Sequence, residues 1–231
     1  MPPEPQRLTY EGTITRVVER APQTRSLYLR LPDPARFTFT PGQFISCLLP
    51  IGAETVIRPY SLASSPEEPE LEICLNLVPN GPGSHYLFGL APGATLRFTG
   101  PWGTFTLDRA PDAECVFVAD GPGIVPIRPM LGRALVTGGT HAVRLHYAAP
   151  TAAHLLYADE FEAAARRQSR FTFEPLIGGA LASVIEQRYV HADTDRRRRF
   201  YICGVGGIVP QLRDLLRRAG YERRAVQYEK W

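Results

Sequence analysis

The sequence feature that most constrains the fold is a change in hydrophobic periodicity near residue 110. Up to about Asp108, apolar and polar residues alternate, as from Leu71 to Leu77, where leucine or isoleucine stands at every second position. The same alternation occurs at Leu27–Leu31, Leu96–Phe98 and Phe105–Leu107, and Pro-Gly or Gly-Pro pairs separate these stretches. Such alternation is typical of half-buried antiparallel strands, and several short strands divided by turns predict a barrel or a sandwich.

After Pro111 the pattern changes to short apolar runs that alternate with helical stretches. The predicted strands are Val116–Ala119, Val143–Ala149, Phe171–Ile177, Phe200–Cys203 and Val226–Glu229. The predicted helices are Pro126–Val136, Thr151–Arg167, Leu181–Arg188 and Pro210–Ala219. Strands alternating with helices predict a parallel sheet covered on both faces, whose ligand lies beyond the carboxyl ends of the strands near the switch point of the strand order.

Composition limits the possible classes of partner. The chain of 231 residues is 44% hydrophobic and 21% charged, with a net charge of +3, so nothing favours nucleic acid as a partner. No run approaches the roughly 20 apolar residues that a membrane helix needs. The segment Met1–Gln6 is polar and proline-rich, unlike a secretory signal. We therefore expect a cytoplasmic protein that binds neither membrane nor nucleic acid.

The four cysteines are too far apart in sequence to form a recognisable metal motif. Cys47, Cys74, Cys115 and Cys203 include no C-x-x-C pair, whereas zinc sites and plant-type iron–sulfur clusters use closely spaced thiolates. We expect the first three to be small buried hydrophobic residues in strands. We expect no metal, so any one-electron partner is a separate protein.

The segment Arg58-Pro59-Tyr60-Ser61 carries the clearest chemical indication. A flavin dinucleotide needs a cation for its pyrophosphate, a flat ring against its isoalloxazine and a small hydrogen-bonding group near flavin N5. Arginine, tyrosine and serine at these spacings supply all three. Taken alone, an arginine and a tyrosine on a strand are usually surface and core residues, so the indication depends on the motifs around it.

Those motifs occur in a fixed order along the chain. They are Pro41-Gly42-Gln43-Phe44, Arg58-Pro59-Tyr60-Ser61, Gly81-Pro82-Gly83-Ser84, Gly100-Pro101-Trp102-Gly103-Thr104-Phe105, Gly121-x-Gly123-x-x-Pro126, Cys203-Gly204 and Tyr228-Glu229-Lys230-Trp231. The set resembles the ferredoxin–NADP⁺ reductase superfamily, whose FAD domain carries R-x-Y-S, G-x-x-S and G-P-x-G-x-F. The resemblance implies an all-β antiparallel barrel that binds FAD at residues 1–110. It also implies an NAD(P)-binding α/β domain with a five-stranded parallel sheet at residues 111–231.

For the flavin half, the resemblance implies a role for each matching position. Arg58 pairs with the FAD pyrophosphate, Tyr60 stacks on one flavin face, and Ser61 hydrogen-bonds near N5. The backbone N–H groups of Gly83 and Ser84 hold phosphate. Pro59 belongs to the same cofactor-binding segment.

Four further positions are candidates near the same gap. Asn76 is a candidate for the flavin ribityl region, with an ordinary outward-facing polar residue as the alternative. The resemblance implies that Trp231 covers the second flavin face. Glu229 is a possible proton relay or else a solvated carboxylate at a strand end. Cys203 precedes Gly204 at the carboxyl edge of the sheet, and the resemblance implies that it lies near the nicotinamide, opposite Ser61, as a positioning residue.

The nicotinamide half departs from the family pattern. Gly121, Gly123, Pro126 and Gly204 match positions of the dinucleotide site, but Pro122 replaces a threonine of the family's G-G-T-G turn. Asp120 adds a carboxylate near the expected pyrophosphate, and like charges repel. The family's Y-G-x-R-T reads Tyr147-Ala148-Ala149-Pro150-Thr151 here, so its arginine is missing. The segment Leu176-Ile177-Gly178-Gly179 lacks the Ser-Arg pair that often meets a 2′-phosphate, so the choice between NADH and NADPH stays open.

These observations predict an NAD(P)H-dependent flavoprotein reductase that passes electrons to a ferredoxin, a flavodoxin or an oxygenase component. The alternatives are a flavin-bearing electron-transfer subunit with a degenerate nucleotide site and a non-catalytic flavin-binding module. Basic residues that could steer an acidic partner are Arg196–Arg199, Arg217, Arg218, Arg223 and Arg224. The alternative interpretation of the run Arg196–Arg199 is a solvated turn.

Overall fold

The computed structural model describes residues 8–107, 109–137 and 139–231. Met1–Gln6 and Asp108, which enter the predictions above, lie outside the described residues. None of the helices within these ranges is both long and apolar enough to cross a membrane.

The first half of the described chain forms an antiparallel sheet of six strands. They are β1 Thr9–Ala21, β2 Thr24–Arg30, β3 Phe44–Ile51, β4 Glu54–Ser61, β5 Leu71–Asn76 and β6 Thr95–Trp102, in the order β4-β3-β6-β1-β2-β5. An antiparallel bridge from Leu62 to Ile73 joins the two edge strands, so the sheet closes on itself as a barrel. Its interior is apolar, and helix α1 (Pro82–Phe88) packs Leu87 into the same core. A single-turn 3₁₀ helix, Pro34–Arg36, also lies in this half.

The second half forms a parallel sheet with helices on both faces. Its strands are β7 Cys115–Asp120, β8 Val143–Ala149, β9 Phe171–Ile177, β10 Arg199–Gly204 and β11 Val226–Lys230, in the order β11-β10-β7-β8-β9. Its α-helices are α2 Ile124–Thr137, α3 Ala158–Arg167, α4 Leu181–Ile185 and α5 Ile208–Arg218, with short 3₁₀ or π turns at Gly121–Gly123, Ala152–His154, Glu186–His191 and Arg223–Ala225. Helices α2 and α3 pack on one face, and α4 and α5 pack on the other. The predicted fold class is confirmed.

Three predicted elements are wrong in detail. Phe105 and Leu107 belong to no strand, because β6 ends at Trp102 and is followed by Gly103 at a positive φ of 101°. The helix predicted from Thr151 starts only at Ala158, since the residue before it, Tyr157, has left-handed backbone (φ 59°). The helix predicted for Leu181–Arg188 is α only to Ile185 and continues as a π turn.

The two halves share one hydrophobic core. Ala63 and Cys74 of the barrel half, together with Phe105 and Leu107, are buried in the same cluster as the apolar side of α2 and the strands of the parallel sheet. Leu71–Leu75 is therefore buried at every position and not only at alternate ones. This packing holds the end of β4 against the carboxyl edge of the parallel sheet, where β10 and β7 are neighbours at the switch point of the strand order.

Candidate functional site

A cavity of about 360 Å³ opens where the end of β4 meets the end of β11. It is lined by Phe44, Pro59, Tyr60, Ser61, Glu229, Lys230 and Trp231. Five of these seven were predicted as site residues from the sequence, and they come from two segments that are about 170 residues apart in the chain. The strand that carries the flavin motif therefore faces the C-terminal segment across one gap.

Ser61 places an unused hydrogen-bonding group in this gap. The residue is 1% exposed, and its hydroxyl oxygen is buried without a hydrogen-bond partner among the described residues. Buried polar groups in folded proteins are nearly always satisfied, so an orphan on a cavity wall is typical of a ligand site. Next to it, burial raises the pKa of Tyr60 to about 12, which keeps the phenol neutral with a proton to donate.

Arg58 lies against the first turn of helix α1. A β-carbon on Gly83 would approach Cγ of Arg58 to 2.9 Å and Cδ1 of Leu49 to 3.3 Å, so glycine leaves the space that the arginine side chain uses. Helix α1 begins at Pro82, and the N–H groups in its first turn have no acceptor within the helix. The predicted cation and the predicted phosphate-binding backbone are thus neighbours.

Ser84 and Asn76 use their side chains within the protein. The Ser84 hydroxyl donates to the Gly81 carbonyl oxygen at 2.9 Å and accepts from the Val78 N–H at 3.0 Å, which fixes the turn before α1. Asn76 is exposed at the end of β5, where its Oδ1 accepts a hydrogen bond from Thr24 at 3.3 Å. Asn76 does not line the cavity, and its role at the ribityl chain stays a prediction.

The glycines of the predicted dinucleotide site let the turns after β7 and β10 touch. A β-carbon on Gly123 would overlap the Cys203 carbonyl, and one on Gly204 would lie 2.8 Å from Cβ of Asp120. Gly121 has a positive φ of 53°. Close backbone approach of this kind is what glycine permits at a dinucleotide turn.

Pro126 and Asp120 flank that turn. Pro126 is buried in the first turn of α2, where a proline costs no helical hydrogen bond. Burial raises the pKa of Asp120, and a hydrogen bond from the Val205 backbone opposes the shift. The carboxyl group therefore lies in a poorly solvated position at the switch point, and its place beside a pyrophosphate stays a prediction.

Glu229 and Trp231 line the cavity opposite Ser61, whereas Cys203 is buried beside Glu229 and does not line it. Cys203 and Glu229 are register partners on the parallel strands β10 and β11, and the Trp231 N–H donates to the Gly204 carbonyl oxygen at 3.1 Å. Burial raises the pKa of Glu229 to about 7, opposed by hydrogen bonding to the Trp231 side chain. Burial, and then the nearby Glu229 carboxylate, raise the pKa of the Cys203 thiol, so it stays protonated and is a poor nucleophile.

The run Arg196–Arg199 lies at the amino end of β10, at the opposite end of that strand from the cavity. Arg196 donates to backbone carbonyl oxygens, Arg198 pairs with Glu114 at 2.9 Å, and Arg199 pairs with Asp112 at 2.9 Å. Three of its four arginines are thus engaged within the protein. Arg197 is exposed.

The second predicted basic group, Arg217, Arg218, Arg223 and Arg224, lies at the end of α5 and in the turn before β11. The guanidinium groups of Arg213 and Arg217, on α5, lie 5.2 and 5.6 Å from the ring of Tyr228 on β11. Arg217 and Arg223 line a groove beside Tyr228, which is 38% exposed and three residues before Trp231. We call the surface formed by Arg213, Arg217, Arg223 and Tyr228 the α5–β11 surface.

Sequence reasoning assigned no role to two lining residues, Phe44 and Lys230. Phe44 ends the Pro41-Gly42-Gln43-Phe44 motif, and Lys230 precedes the terminal tryptophan. Both stood inside motifs that carry the family resemblance. Their position inside these motifs was the signal from which they could have been predicted as site residues.

Comparison with known proteins agrees with this geometry. Residues 11–107 match the family described as oxidoreductase FAD-binding domain. The chain is 32% identical to ferredoxin–NADP reductase B of Sorangium cellulosum, over 96% of this chain and 97% of that protein. It is 30% identical to the reductase component of propane 2-monooxygenase from Rhodococcus jostii, over 94% of this chain but only 63% of that protein.

Solved structures show the same fold. A ferredoxin–NADP⁺ reductase from Neisseria gonorrhoeae, with FAD and NADP bound, superposes with a TM-score of 0.83 at 22% identity, over 96% of this chain and 98% of that one. A cytochrome P450 reductase from Amycolatopsis gives a TM-score of 0.82 at 24% identity, over 98% of this chain and 71% of that one. The full-length match in sequence, added to the matching fold and motifs, establishes the family. The chain belongs to the ferredoxin–NADP⁺ reductase superfamily and is an NAD(P)H-dependent flavoprotein oxidoreductase that uses FAD.

Proposed function

We propose that the cavity between β4 and β11 is where a nicotinamide meets the flavin, and that electrons leave from there to a separate redox protein. The orphaned hydroxyl of Ser61, facing Glu229 and Trp231 across the gap, is the observation that carries this proposal. In this assignment residues 1–110 hold FAD and residues 111–231 hold the nicotinamide nucleotide.

Two features of the chain fit FAD. The Ser61 hydroxyl on the cavity wall is buried with no partner in the described part of the chain, and the absence of a β-carbon on Gly83 leaves room for Arg58 beside backbone N–H groups. A cation next to free N–H donors suits a pyrophosphate. When bound, FAD supplies the redox chemistry, since it takes an electron pair from a nicotinamide and releases electrons one at a time.

The residues of the barrel hold and orient the cofactor. Arg58 and the N–H groups of Gly83 and Ser84 bind the pyrophosphate. The ring of Tyr60 packs on one flavin face, with Pro59 beside it. The hydroxyl group of Ser61 would donate a hydrogen bond to the flavin near N5, a partner that it lacks among the described residues.

The residues of the second half bind the nucleotide and close the gap. The turn Gly121–Gly123, with Gly204 against it, admits a pyrophosphate close to the backbone, and Pro126 fixes the start of α2 behind it. Trp231 covers the gap until a nicotinamide replaces it, because an aromatic contact contributes only about 0.5–1.5 kcal/mol beyond its buried area. Cys203, a neutral thiol buried beside Glu229, is a positioning residue.

Glu229 is suited to exchange a proton with solvent at the edge of the gap. Its pKa of about 7 leaves the carboxyl group divided between its two protonation states near neutral pH. A group poised in this way transfers protons most effectively.

We propose the α5–β11 surface as the docking site of an acidic electron acceptor, such as a ferredoxin, a flavodoxin or an oxygenase component. Arg213 and Arg217 on α5 reach Tyr228 of β11, three residues before Trp231, whereas Arg223 precedes the amino end of β11. The run Arg196–Arg199 is less suited, because three of its four arginines are engaged within the protein. Opposite charge on the two surfaces raises the association rate.

The test is anaerobic reduction of the purified, FAD-loaded chain. We expect NADH or NADPH to bleach the yellow flavin absorbance within seconds. Bleaching by dithionite or a reduced partner, but by neither nucleotide, would favour the electron-transfer subunit with a degenerate nucleotide site. A chain that takes up no FAD would refute both.

A further inference from the structure

Glu72 is a carboxylate buried completely at the junction of the two halves. It lies on β5 and is 0% exposed. The alternation of Leu71, Ile73 and Leu75 indicates an outward-facing position for Glu72. The side chain is buried because the second half of the chain packs against the outer face of β5, where Cys74 joins the shared core.

The Glu72 carboxylate accepts hydrogen bonds from four side chains. Oε1 accepts from Arg20 at 2.9 Å, from Ser26 at 2.5 Å and from Tyr157 at 2.9 Å. Oε2 accepts from Arg128 at 3.2 Å. Arg20 and Ser26 belong to the barrel, whereas Tyr157 and Arg128 belong to the second half. A buried charge with this many donors from both sides bonds the halves to each other directionally.

Tyr157 contacts two guanidinium groups with its ring and one carboxylate with its hydroxyl group. The guanidinium carbons of Arg20 and Arg128 lie 4.8 and 4.7 Å from its ring centroid, and its hydroxyl donates to Glu72. Burial raises its pKa well above the ordinary value, so the phenol keeps its proton. Its left-handed backbone is unfavourable for a residue with a side chain, and such conformations persist where the surroundings impose them.

Arg128 connects the segment that carries Ser61 to helix α2, which follows the turn Gly121–Gly123. Its Nη1 donates to the Ala63 carbonyl oxygen at 2.7 Å, and its Nε donates to Glu160 at 2.9 Å. Ala63 is two residues beyond Ser61, and Arg128 lies on α2, which starts directly after the turn Gly121–Gly123. One guanidinium therefore ties the flavin segment to the helix that begins at the nucleotide turn.

The apolar core and this network do different work. Apolar contacts hold the halves together, but they have no direction and tolerate small rotations. A buried ion network is weak as a source of stability, because desolvation offsets much of its attraction, and its better-supported role is to select one arrangement.

We propose that Arg20, Glu72, Arg128 and Tyr157 form an orienting cluster that sets the angle between the two halves. The cluster thereby aligns the nicotinamide over the flavin. The inference rests on the proposed function for its catalytic consequence, but the orienting role itself concerns the geometry of the chain. All four members are positioning residues, since none lines the cavity.

Two variants and a matched control test the proposal. Tyr157→Phe removes one hydroxyl and keeps the ring between the two guanidinium groups. Glu72→Gln removes the central charge. Arg133→Met is the control, because Arg133 on α2 also reaches the barrel, through an exposed pair with Glu67 at 3.3 Å outside the cluster.

The first readout is independent of turnover. Glu54→Cys and Arg166→Cys place nitroxide labels on exposed positions of the two halves, and the native cysteines are all buried, so labelling is selective. Pulsed electron paramagnetic resonance then gives the distribution of label distances. We expect a single narrow peak in the unaltered chain and the control. We expect a shifted or at least twofold broader peak in Tyr157→Phe and Glu72→Gln.

The second readout separates alignment from binding. We expect flavin bleaching at saturating nucleotide to slow by roughly ten- to hundredfold in both variants, while the nucleotide concentration for half-maximal rate changes less than twofold. Small misplacements of reacting atoms have effects of this size. The control should match the unaltered chain in both quantities.

The outcomes are distinct. Unchanged distance distributions and bleaching rates in Tyr157→Phe, with only a lower melting temperature, would overturn the proposal and leave a merely structural network. If Glu72→Gln does not fold, Tyr157→Phe decides alone. If neither nucleotide bleaches even the unaltered chain, the proposed function fails, but the distance distributions still support or refute the orienting role.

Discussion

Gly83 lies directly under the side chain of Arg58, where a β-carbon on the glycine would come within 2.9 Å of the arginine Cγ. We predict that Arg58→Ala weakens FAD binding by roughly ten- to hundredfold, because it removes a charge-assisted hydrogen bond of about 1.5–3 kcal/mol. Gly83→Ala should weaken binding in the same direction by displacing the arginine. Titration of the FAD-free chain with FAD, followed by flavin fluorescence, measures both effects.

The control for this pair is Arg36→Ala, an exposed arginine on the 3₁₀ helix of the same half. It should leave the FAD dissociation constant unchanged. Equal effects of Arg36→Ala and Arg58→Ala would mean that only net charge matters and that Arg58 has no specific contact with the pyrophosphate.

Ser61→Ala should separate stability from rate. The Ser61 hydroxyl is buried and makes no hydrogen bond to residues 8–107, 109–137 or 139–231, so its removal should leave the melting temperature of the FAD-free chain unchanged or slightly higher. The loss of a donor near flavin N5 should slow bleaching by roughly tenfold or more, as expected for a lost hydrogen bond of at least 1.4 kcal/mol. Calorimetry without FAD and stopped-flow absorbance with FAD give the two quantities. A destabilised variant with an unchanged bleaching rate would assign the hydroxyl to the fold.

Glu229 should make the stability of the FAD-free chain depend on pH. Its pKa is about 7 when folded and 4.5 as the ordinary value. Below pH 4.5 both states hold the proton, and between 4.5 and 7 only the folded state does, so the free energy of unfolding falls as pH rises across this window. One pKa unit corresponds to 1.36 kcal/mol, and since the group is partly exposed we expect ~1–2 kcal/mol in all.

Glu229→Gln provides the comparison for this prediction. The free energy of unfolding of the variant, minus that of the unaltered chain, should rise from pH 4 to pH 8, because glutamine does not titrate. The contributions of the other titrating groups cancel in this difference. In the loaded enzyme, the rate of bleaching should show an inflection near pH 7 that the variant lacks. Parallel stability curves for the two proteins would show that Glu229 titrates normally.

Charge reversal on the α5–β11 surface should slow electron transfer to an acidic partner. Arg217→Glu combined with Arg223→Glu should lower the association rate with a ferredoxin, with the largest effect at low salt, where charges are least screened. The exposed Arg197, which precedes β10 and lies outside the α5–β11 surface, provides the control Arg197→Glu. Reduction of the acceptor under increasing salt measures the effect, and a larger loss from the control would move the docking site to the Arg196–Arg199 run.

The strands of the parallel sheet could be predicted closely from sequence because each is a short apolar run. Val143–Ala149 and Phe171–Ile177 have the predicted bounds. The start of α3 could not be predicted from sequence, because the left-handed backbone of Tyr157 depends on contacts from distant parts of the chain. Glu72 was missed for the same reason, since only the packing of the two halves buries a residue that local alternation turns outward.

The candidate site divides in a similar way. Ser61, Tyr60 and Trp231 were found because they stand in motifs with a chemical rationale, and they share one cavity. The internal pairing of Arg198 and Arg199 could not be read from a run of arginines, because Glu114 and Asp112 meet them only through the register of β10 against β7. Local patterns predict residues within one element, and contacts between elements need the fold.

Direct transfer from nicotinamide to flavin within the cavity is tested most directly by isotopic substitution. The FAD-loaded chain is mixed anaerobically with NADH or NADPH carrying deuterium at the transferred position of C4, and the loss of visible flavin absorbance is followed by stopped flow. We predict slower bleaching with deuterium than with hydrogen in whichever nucleotide reacts. No bleaching by either nucleotide, in a chain whose flavin is reduced by dithionite, would contradict it.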